Sequence, residues 1–380
     1  MRITRIAERT IPLNADIANA LISFSGMTAS IVEVTSDVIR NGQPVVGLGH
    51  TSVGRYAQGG ILRERLIPRV LAADPSELLD ADGENIDPVA VWRVALSAEK
   101  PGGHGDRAHA MAALDMAIWD LAAKIAERAL YAFIAEKLGR ATPDPTVETY
   151  AAGGYYNPTG GEVRLRAEIE RHLAAGFTAV KIKIGGAPLA EDLRRIETVL
   201  EIVTDPGRLA VDANGRFDLE TALEYARALA PYRLRWYEEP VDPLDLAAHR
   251  EVAAASPAAL GTGENLFAAI EVENLLRFSG LRPDLDILQM DPGLAYGLTE
   301  YIRIVELLAE YGWTPRSVIP HGGHLFALHV AAGLGLGGCE AYPELFDPIG
   351  TFGPDVKISN GLATLSETHG IGLERIDGFV

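Results

Sequence analysis

Three acidic residues recur at equal spacing in the middle of the sequence, each near the end of a short β-rich run. Asp212 lies in LAVDAN, Glu238 lies in LRWYEE and Glu264 lies in AALGTGE, and the step from the first acid to the second equals the step from the second to the third. Three converging carboxylates would repel one another and raise one another's pKa unless a cation lay between them, and hard oxygen ligands favour Mg²⁺. Three unrelated surface acids are the alternative, but the regular step favours a magnesium site.

Two lysines alternate with apolar residues in the run AVKIKI (179–184). Because side chains alternate across a strand, Lys181 and Lys183 share one face and the apolar residues share the other. An ammonium group beside a second one, and near Mg²⁺, is pushed toward its neutral form, so Lys183 is the candidate general base and Lys181 would depress its pKa or hold a substrate carboxylate. A surface strand with a solvated lysine face is the alternative.

A histidine and an aspartate end two later runs. Asp291 follows LDILQM and His321 ends SVIPH. An Asp bonded to one imidazole nitrogen fixes the tautomer and favours the protonated ring, which makes His321 a candidate acid opposite Lys183. A zinc pair of His321 with His324 is disfavoured because zinc sites also draw on Cys or further His ligands, and none lies nearby in the sequence.

Three further polar residues accompany these groups. Glu340 lies in the run GCEAY and could point into the same site. Glu239 directly follows the ligand candidate Glu238, and Asn214 lies two positions after Asp212. Each could either orient those ligands or serve a purely structural purpose.

Side chains so far apart in sequence meet only if the elements that carry them converge. From about residue 146, short β-rich runs alternate with amphipathic helical segments, and the runs number eight: 147–152, 179–184, 209–214, 234–239, 258–264, 285–290, 317–321 and 338–342. This alternation predicts an α/β fold, a (β/α)₈ TIM-like barrel, whose catalytic groups lie at the C-terminal strand ends. An open doubly wound sheet is the alternative, but GLGLGG (333–338) precedes a strand and so lacks the context of a dinucleotide-binding loop.

The sequence outside this repeating part has a different character. The first residues alternate apolar and polar positions in three runs, and helical patterns follow to about residue 138. We predict an N-terminal α+β capping domain over 1–140, a catalytic barrel over 141–342, and a segment 343–380 that packs back on the first module.

Composition limits the classes of partner. The formal charge of −18 argues against nucleic acid or an anionic membrane as the main partner. The apolar stretch 108–126 is interrupted by Asp115 and Asp120 and predicts a buried amphipathic helix rather than a membrane span. The start lacks the apolar core of a secretion signal and there is a single cysteine, Cys339, so a cytoplasmic protein is expected.

With these residues in view, the chain resembles the enolase superfamily, specifically its mandelate racemase group. The likeness is carried by VKIKIGG, LAVDANGRF, WYEEP, TGENLF and IPHGGH. Within that group it resembles the D-tartrate dehydratases, through EKPGGHGDR (99–107), YAAGGYY (150–156) and AAGLGLGGCEAYPELF (331–346).

The resemblance implies a role for each residue. Asp212, Glu238 and Glu264 would hold Mg²⁺, Lys183 would remove a proton α to a carboxylate, and His321 with Asp291 would be the acid. The groups implied to contact the substrate are Lys181, Glu340, Asn19, Lys100, Asn214 and the loop HTSVGRYAQGG (50–60).

Three hypotheses of function follow. The first is Mg²⁺-dependent dehydration of a small hydroxy acid, tartrate-like or an acid sugar, through an enediolate to a 2-keto acid. The second is a racemase or epimerase that uses the same Lys and His on two faces of the substrate, and the third is a metal-binding barrel without catalysis. The expected partners are a small carboxylic acid and further copies of the chain in a homo-oligomer.

Overall fold

The N-terminal module is an antiparallel sheet covered by helices. The computed structural model describes residues 1–13, 15–156 and 160–379. The sheet has the order β1 (Ile3–Pro12), β2 (Thr28–Arg40), β3 (Gln43–His50). On the central strand Ala29, Ile31, Val32 and Val34 are buried, so both faces are covered in its first half, whereas Ile39 near its end is exposed.

Five helices follow the sheet, and one of them forms the centre of the module. They are α1 (Gly59–Ile61), α2 (Ile67–Ala72), α3 (Pro88–Ala95), α4 (Asp106–Ile125) and α5 (Leu130–Lys137). A Cβ added to Gly49 would lie 2.2 Å from Ala113 O, so this glycine lets α4 lie directly on β3. Nearly all of α4 is buried in the protein, as predicted. Among the described residues, no helix has both the length and the apolar content needed to cross a bilayer.

The second part of the chain is a ring of parallel strands with helices outside it. The strands are β4 (Thr146–Gly153), β5 (Val180–Lys183), β6 (Leu209–Asp212), β7 (Tyr237–Glu238), β8 (Leu260–Thr262), β9 (Ile287–Leu288) and β10 (Cys339–Ala341). The helices are α6 (Gly161–Ala174), α7 (Leu189–Val203), α8 (Leu219–Leu229), α9 (Leu246–Ala255), α10 (Ala269–Phe278), α11 (Leu298–Leu307) and α12 (Leu325–Leu334). Strands β4 to β9 pair in sequence order, and β10 returns to pair in parallel with β4.

The seventh barrel position closes the ring without forming a regular strand. The predicted strand 317–321 makes a single bridge, Val318 to Leu288, so that prediction was wrong in its extent. Pro320 lacks a backbone N–H and cannot extend the ladder. Hydrogen bonds still connect both neighbours: Ile319 N donates to Leu288 O over 2.9 Å, and Gly337 N donates to Val318 O over 2.8 Å. The predicted barrel is confirmed, and the open sheet is excluded.

The segment after β10 contacts both modules. Its hairpin, β11 (Lys357–Ser359) and β12 (Leu362–Thr364), pairs antiparallel with β4 of the barrel. Further on, Ile371 N donates to Asp120 Oδ1 on α4 over 2.6 Å. The tail therefore packs on the N-terminal module and also widens the barrel sheet, and the domain boundaries at 140 and 343 stay a prediction.

Candidate active site

The three predicted metal ligands lie together at the C-terminal ends of adjacent strands. Asp212 and Glu238 are the last residues of β6 and β7 and face each other in register, and Glu264 follows β8 by two positions. One carboxylate oxygen of each lies within 4.8 Å of the others. Parallel pairing of short strands brings side chains from three successive β/α units to the same edge of the ring.

The chemistry of this acidic cluster fits a divalent cation. Burial, with Asp212 and Glu340 nearby, raises the pKa of Glu238 even though Lys181 opposes the shift. Glu264 Oε2 is buried and accepts no hydrogen bond, an arrangement that costs free energy unless a cation takes the place of a donor. Because all the ligand atoms are carboxylate oxygens, Mg²⁺ is the ion that suits them.

Both lysines of β5 point into the ring, where each bonds a carboxylate. Lys183 Nζ donates to Asp212 Oδ2 over 2.5 Å. Lys181 Nζ bonds Glu238 and lies 2.7 Å from Glu340 Oε1. The side chains of Lys181 and Lys183 are only 1% and 5% exposed, so the alternative of a solvated lysine face is excluded.

The charges around Lys183 act in opposite directions. Burial by itself lowers its pKa, but the carboxylate of Asp212 and the phenol of Tyr155 outweigh burial and hold the pKa above its usual range. The lowered pKa expected from the second lysine is therefore not produced by the protein's own groups, because the carboxylates outnumber the lysines. A divalent cation on the acidic cluster would act in the lowering direction.

On the other side of the cluster, His321 is held between an acid and a phenol. Its Nδ1 lies 3.0 Å from Asp291 Oδ2, and its Nε2 lies 3.0 Å from Tyr342 Oη and 3.6 Å from Glu264 Oε2. Burial alone lowers the pKa of His321, but Glu264, Asp291 and Glu340 together raise it to about 9. The protonated ring predicted from the nearby Asp is consistent with these contacts.

The Asp291 carboxylate is surrounded by donors. It accepts hydrogen bonds from Ser52 Oγ over 2.6 Å, Gly293 N over 2.6 Å and His324 Nε2 over 3.2 Å, besides its contact with His321. Burial favours the neutral acid, but both histidines outweigh it and hold the pKa of Asp291 far below its usual range. Because His324 Nδ1 accepts from Ala327 N, both its nitrogens are in use, which explains why it is no metal ligand.

Two predicted substrate contacts act on protein groups instead. Glu340 is fully buried, accepts from Gly322 N over 3.0 Å and pairs with Lys181, so it fixes the lysine. Lys181 likewise contacts protein groups, because its ammonium group is held between Glu238 and Glu340. Neither side chain lines the cavity above the acidic cluster.

Asn214 and Glu239 lie beside the ligands and line that cavity. Asn214 donates to Asp212 through its backbone N over 2.8 Å and through Nδ2 over 3.1 Å, and it thereby orients the carboxylate. Glu239 accepts two hydrogen bonds from Asn265 Nδ2, at 2.8 and 3.0 Å. Both residues have positive φ, 49° and 38°, a conformation that turns the chain sharply at the end of the strand.

A cavity of about 160 Å³ lies between the barrel and the N-terminal module. Lys183, Glu264 and His321 line it from the barrel side, and Asn19 lines it from the N-terminal side. Asn19 Oδ1 accepts from two backbone amides of its own loop, which leaves its Nδ2 as the donor available to a ligand.

Lys100 is a correction to the sequence-based prediction, because it does not line this cavity. Its side chain is exposed in a separate surface cleft beside Trp92 and Arg107. The reason is local: Arg107 Nη1 donates to the backbone oxygen of Lys100 over 2.9 Å and also contacts Glu99, which holds the segment against the helices.

Sequence reasoning missed several residues that the structure brings to the site. Tyr155 lies under Lys183, with the ammonium nitrogen 5.3 Å from the ring centroid, and Tyr342 contacts His321. Ser52 and Arg55 belong to the loop 50–60, which the resemblance implicates only as a whole. For the tyrosines the signal was available, because each lies close in sequence to the end of a barrel strand, β4 for Tyr155 and β10 for Tyr342.

The chain is similar to known enzymes along most of its length. Residues 164–377 match the family described as enolase C-terminal domain-like. L-talarate/galactarate dehydratase of Salmonella typhimurium is 29% identical over 367 residues, which are 95% of this chain and 85% of that protein. The 3,6-anhydro-alpha-L-galactonate cycloisomerase of Streptomyces coelicolor is 30% identical over 298 residues, covering 77% of this chain and 76% of the relative.

The fold has a close counterpart among solved structures. L-talarate dehydratase of Polaromonas sp. JS666, complexed with Mg and L-glucarate, superposes with a TM-score of 0.78 at 25% identity, covering 99% of this chain and 95% of the other. That counterpart was crystallised with the ion that the chemistry of the acidic cluster favours here.

Proposed function

The chain belongs to the enolase superfamily, and on that premise we propose that it catalyses the Mg²⁺-dependent dehydration of a small hydroxy acid to a 2-keto acid. The observation that carries the proposal is the arrangement of two proton-transfer groups around one acidic cluster. Lys183 bonds Asp212, His321 lies against Glu264, and both line the same cavity.

Each residue has a defined task in the reaction. Asp212, Glu238 and Glu264 would hold Mg²⁺, which would supply positive charge to stabilise the negative charge that develops on a substrate carboxylate. Lys183 Nζ takes the α-proton, and the C–H electron pair moves toward the carboxylate to give an enediolate. His321 Nε2 donates a proton to the β-hydroxyl as its C–O bond breaks, water leaves, and the enol product tautomerises to the 2-keto acid.

The contacts of His321 suit it to the second step. Asp291 holds Nδ1, which directs Nε2 toward the cavity, and Tyr342 Oη lies at Nε2 within hydrogen-bond distance. Burial raises the pKa of Tyr342 well above its usual value, so its phenol stays neutral. The hydroxyl can therefore exchange its hydrogen bond with His321 Nε2 for one with the leaving water, and no charge changes.

For the substrate we propose a short hydroxy acid of the D-tartrate type. A cavity of about 160 Å³ is smaller than the roughly 300–1,000 Å³ typical of pockets for drug-sized ligands. The relatives with longer substrates, galactarate and talarate among them, support acid-sugar dehydration as the class of reaction.

The test is product formation by two variants of the proposed base. Purified protein with Mg²⁺ is incubated with four- to six-carbon hydroxy acids and sugar acids, and 2-keto products are measured as semicarbazones. Lys183→Ala removes the base, and Lys183→Arg keeps a cation beside Asp212 but cannot give up its proton at neutral pH. We expect both to lose at least about 1,000-fold in kcat with the fold retained by circular dichroism. Full activity in either would refute the base assignment.

A racemase is the second candidate, because two proton-transfer groups at different edges of one cluster can also remove and return a proton. Reaction in D₂O separates the two. Racemisation labels both enantiomers at the α-carbon without loss of the β-hydroxyl, whereas dehydration releases a keto acid.

A further inference from the structure

We propose that Arg55 binds a second carboxylate of the substrate, so that the site selects short dicarboxylic hydroxy acids over monocarboxylic acids of equal length. The inference rests on the proposed function, since it names the substrate class of the same cavity. It is carried by the charge, the contacts and the position of this one side chain.

Arg55 brings a positive charge to the cavity that its own partners do not neutralise. Its guanidinium donates to Gly54 O over 2.7 Å and to Asn265 Oδ1, and both acceptors are neutral. A guanidinium carries five N–H donors, so donors remain for a ligand. The other lysine or arginine that lines the cavity, Lys183, is already paired with Asp212.

The guanidinium is also held in place. Asn265 Nδ2 donates to both oxygens of Glu239, which fixes the amide so that Oδ1 faces Arg55. The ring of Phe267 supports the other side, with its centroid 5.7 Å from Arg55 Cζ. A preorganised fork of donors is the arrangement that binds a planar carboxylate through two hydrogen bonds.

Arg55 reaches the cavity from the N-terminal module, whereas Lys183, Glu264 and His321 line it from the barrel side. Its guanidinium contacts the barrel at Asn265, the residue after Glu264, so it lies beside the acidic cluster without being bonded to it. Besides Asn19, the N-terminal side chains that line the cavity are apolar (Leu21, Ile22, Phe24 and Val53), and the barrel loops add the apolar Leu294 and Phe346. A long polyhydroxy chain would leave hydroxyls unpaired against them, while a short diacid places one carboxylate at the metal ligands and the other at Arg55.

Binding of unreactive acids tests the proposal independently of turnover. Succinate and 4-hydroxybutanoate have equal carbon chains, but only succinate has two carboxylates, and neither carries the hydroxyl pattern needed for the reaction. Isothermal titration into the Mg²⁺-loaded protein should show that succinate binds more tightly than 4-hydroxybutanoate. Arg55→Met should lower the affinity for succinate about 10- to 100-fold, so that the ratio of the two affinities falls toward one. Arg55→Lys should give an intermediate ratio.

A matched arginine variant controls for general charge. Arg63 pairs with Glu8 away from the cavity, and Arg63→Met should leave the ratio unchanged. The proposal would be overturned if Arg55→Met, folded by circular dichroism, had the same ratio of succinate to 4-hydroxybutanoate affinity as the wild type. If no hydroxy acid is turned over but succinate still binds through Arg55, the proposed dehydration fails and this assignment stands.

Discussion

Ser52 Oγ donates a hydrogen bond to Asp291 Oδ2 over 2.6 Å, to the same carboxylate oxygen that lies 3.0 Å from His321 Nδ1. This hydrogen bond, between residues 239 positions apart in the sequence, connects a loop of the N-terminal module to Asp291, which in turn holds the imidazole of His321. We expect Ser52→Ala to lower kcat about tenfold with little change in KM, because a lost hydrogen bond to a charged acceptor loosens the orientation of His321, and such bonds contribute about 1.5–3 kcal/mol.

Steady-state kinetics with the best hydroxy-acid substrate measures this split. Ser76→Ala, at an exposed serine, is the control and should change neither constant. A rise in KM at constant kcat would show that Ser52 serves substrate binding instead.

Glu264→Gln should affect the protein mainly through its magnesium site. In the metal-free protein the variant loses repulsion with Asp212 and Glu238 but also the contact with protonated His321, so its melting temperature should stay close to that of the metal-free wild type. The rise in melting temperature on adding Mg²⁺ should shrink, since a ligand is lost. Thermal unfolding in EDTA and in millimolar Mg²⁺ measures both, with the exposed Glu191→Gln as control. An unchanged Mg²⁺ effect would contradict the ligand assignment.

Buried Asp115 should make stability decrease with pH. Burial raises its pKa to about 7, although Thr299 N and Thr299 Oγ1 donate to its oxygens. Because the folded pKa is raised, the folded state retains a proton that the unfolded chain has lost, and the stabilisation present below about pH 4 is lost as the pH rises to 7.

The neutral variant Asp115→Asn should not show this loss. The difference in unfolding free energy, Asp115→Asn minus wild type, should increase by roughly 2–3 kcal/mol from pH 5 to pH 8, because only the wild type loses stability over that range. Urea unfolding across that range measures the difference, and Asp82→Asn at an exposed position should give a flat line. A constant difference for Asp115→Asn would mean that the carboxyl group titrates normally.

Close packing between β3 and α4 should make Gly49 irreplaceable. An added Cβ would lie 2.2 Å from Ala113 O and 2.7 Å from Ala117 N, so the helix would have to move. We expect Gly49→Ala to lower the unfolding free energy by about 3 kcal/mol or more, whereas Gly26→Ala, with open space around it, should stay within about 0.5 kcal/mol. Equal midpoints in urea would contradict this.

The barrel and most of the acidic site could be predicted because local patterns repeat. Alternating β-rich runs and helices set the number of units, and parallel pairing then aligns the strand ends, so Asp212 and Glu238 had to be neighbours. The bridge at Val318 and the position of Lys100 could not be predicted. One depends on how a proline fits between two strands, and the other on which carbonyls Arg107 reaches in the folded protein.

Contacts between the two modules were outside the reach of sequence patterns. The partners of Ser52 and Arg55 lie 239 and 210 positions away, and no periodicity connects a loop of one module to a strand end of the other. The resemblance pointed to the loop 50–60 as a whole, but the individual contacts of Ser52 and Arg55 depend on tertiary packing between the two modules.

Strand β4 pairs with β5, which follows it in the chain, and also with β10 and β12, which come from the far end of the polypeptide. During synthesis, the first barrel strand must therefore wait with unpaired amide and carbonyl groups until Thr364, the last residue of β12, has emerged from the ribosome. Closure of so large a loop carries a high entropic cost and makes the last step of folding slow. Until then this exposed edge is open to chaperones and to aggregation with other nascent chains.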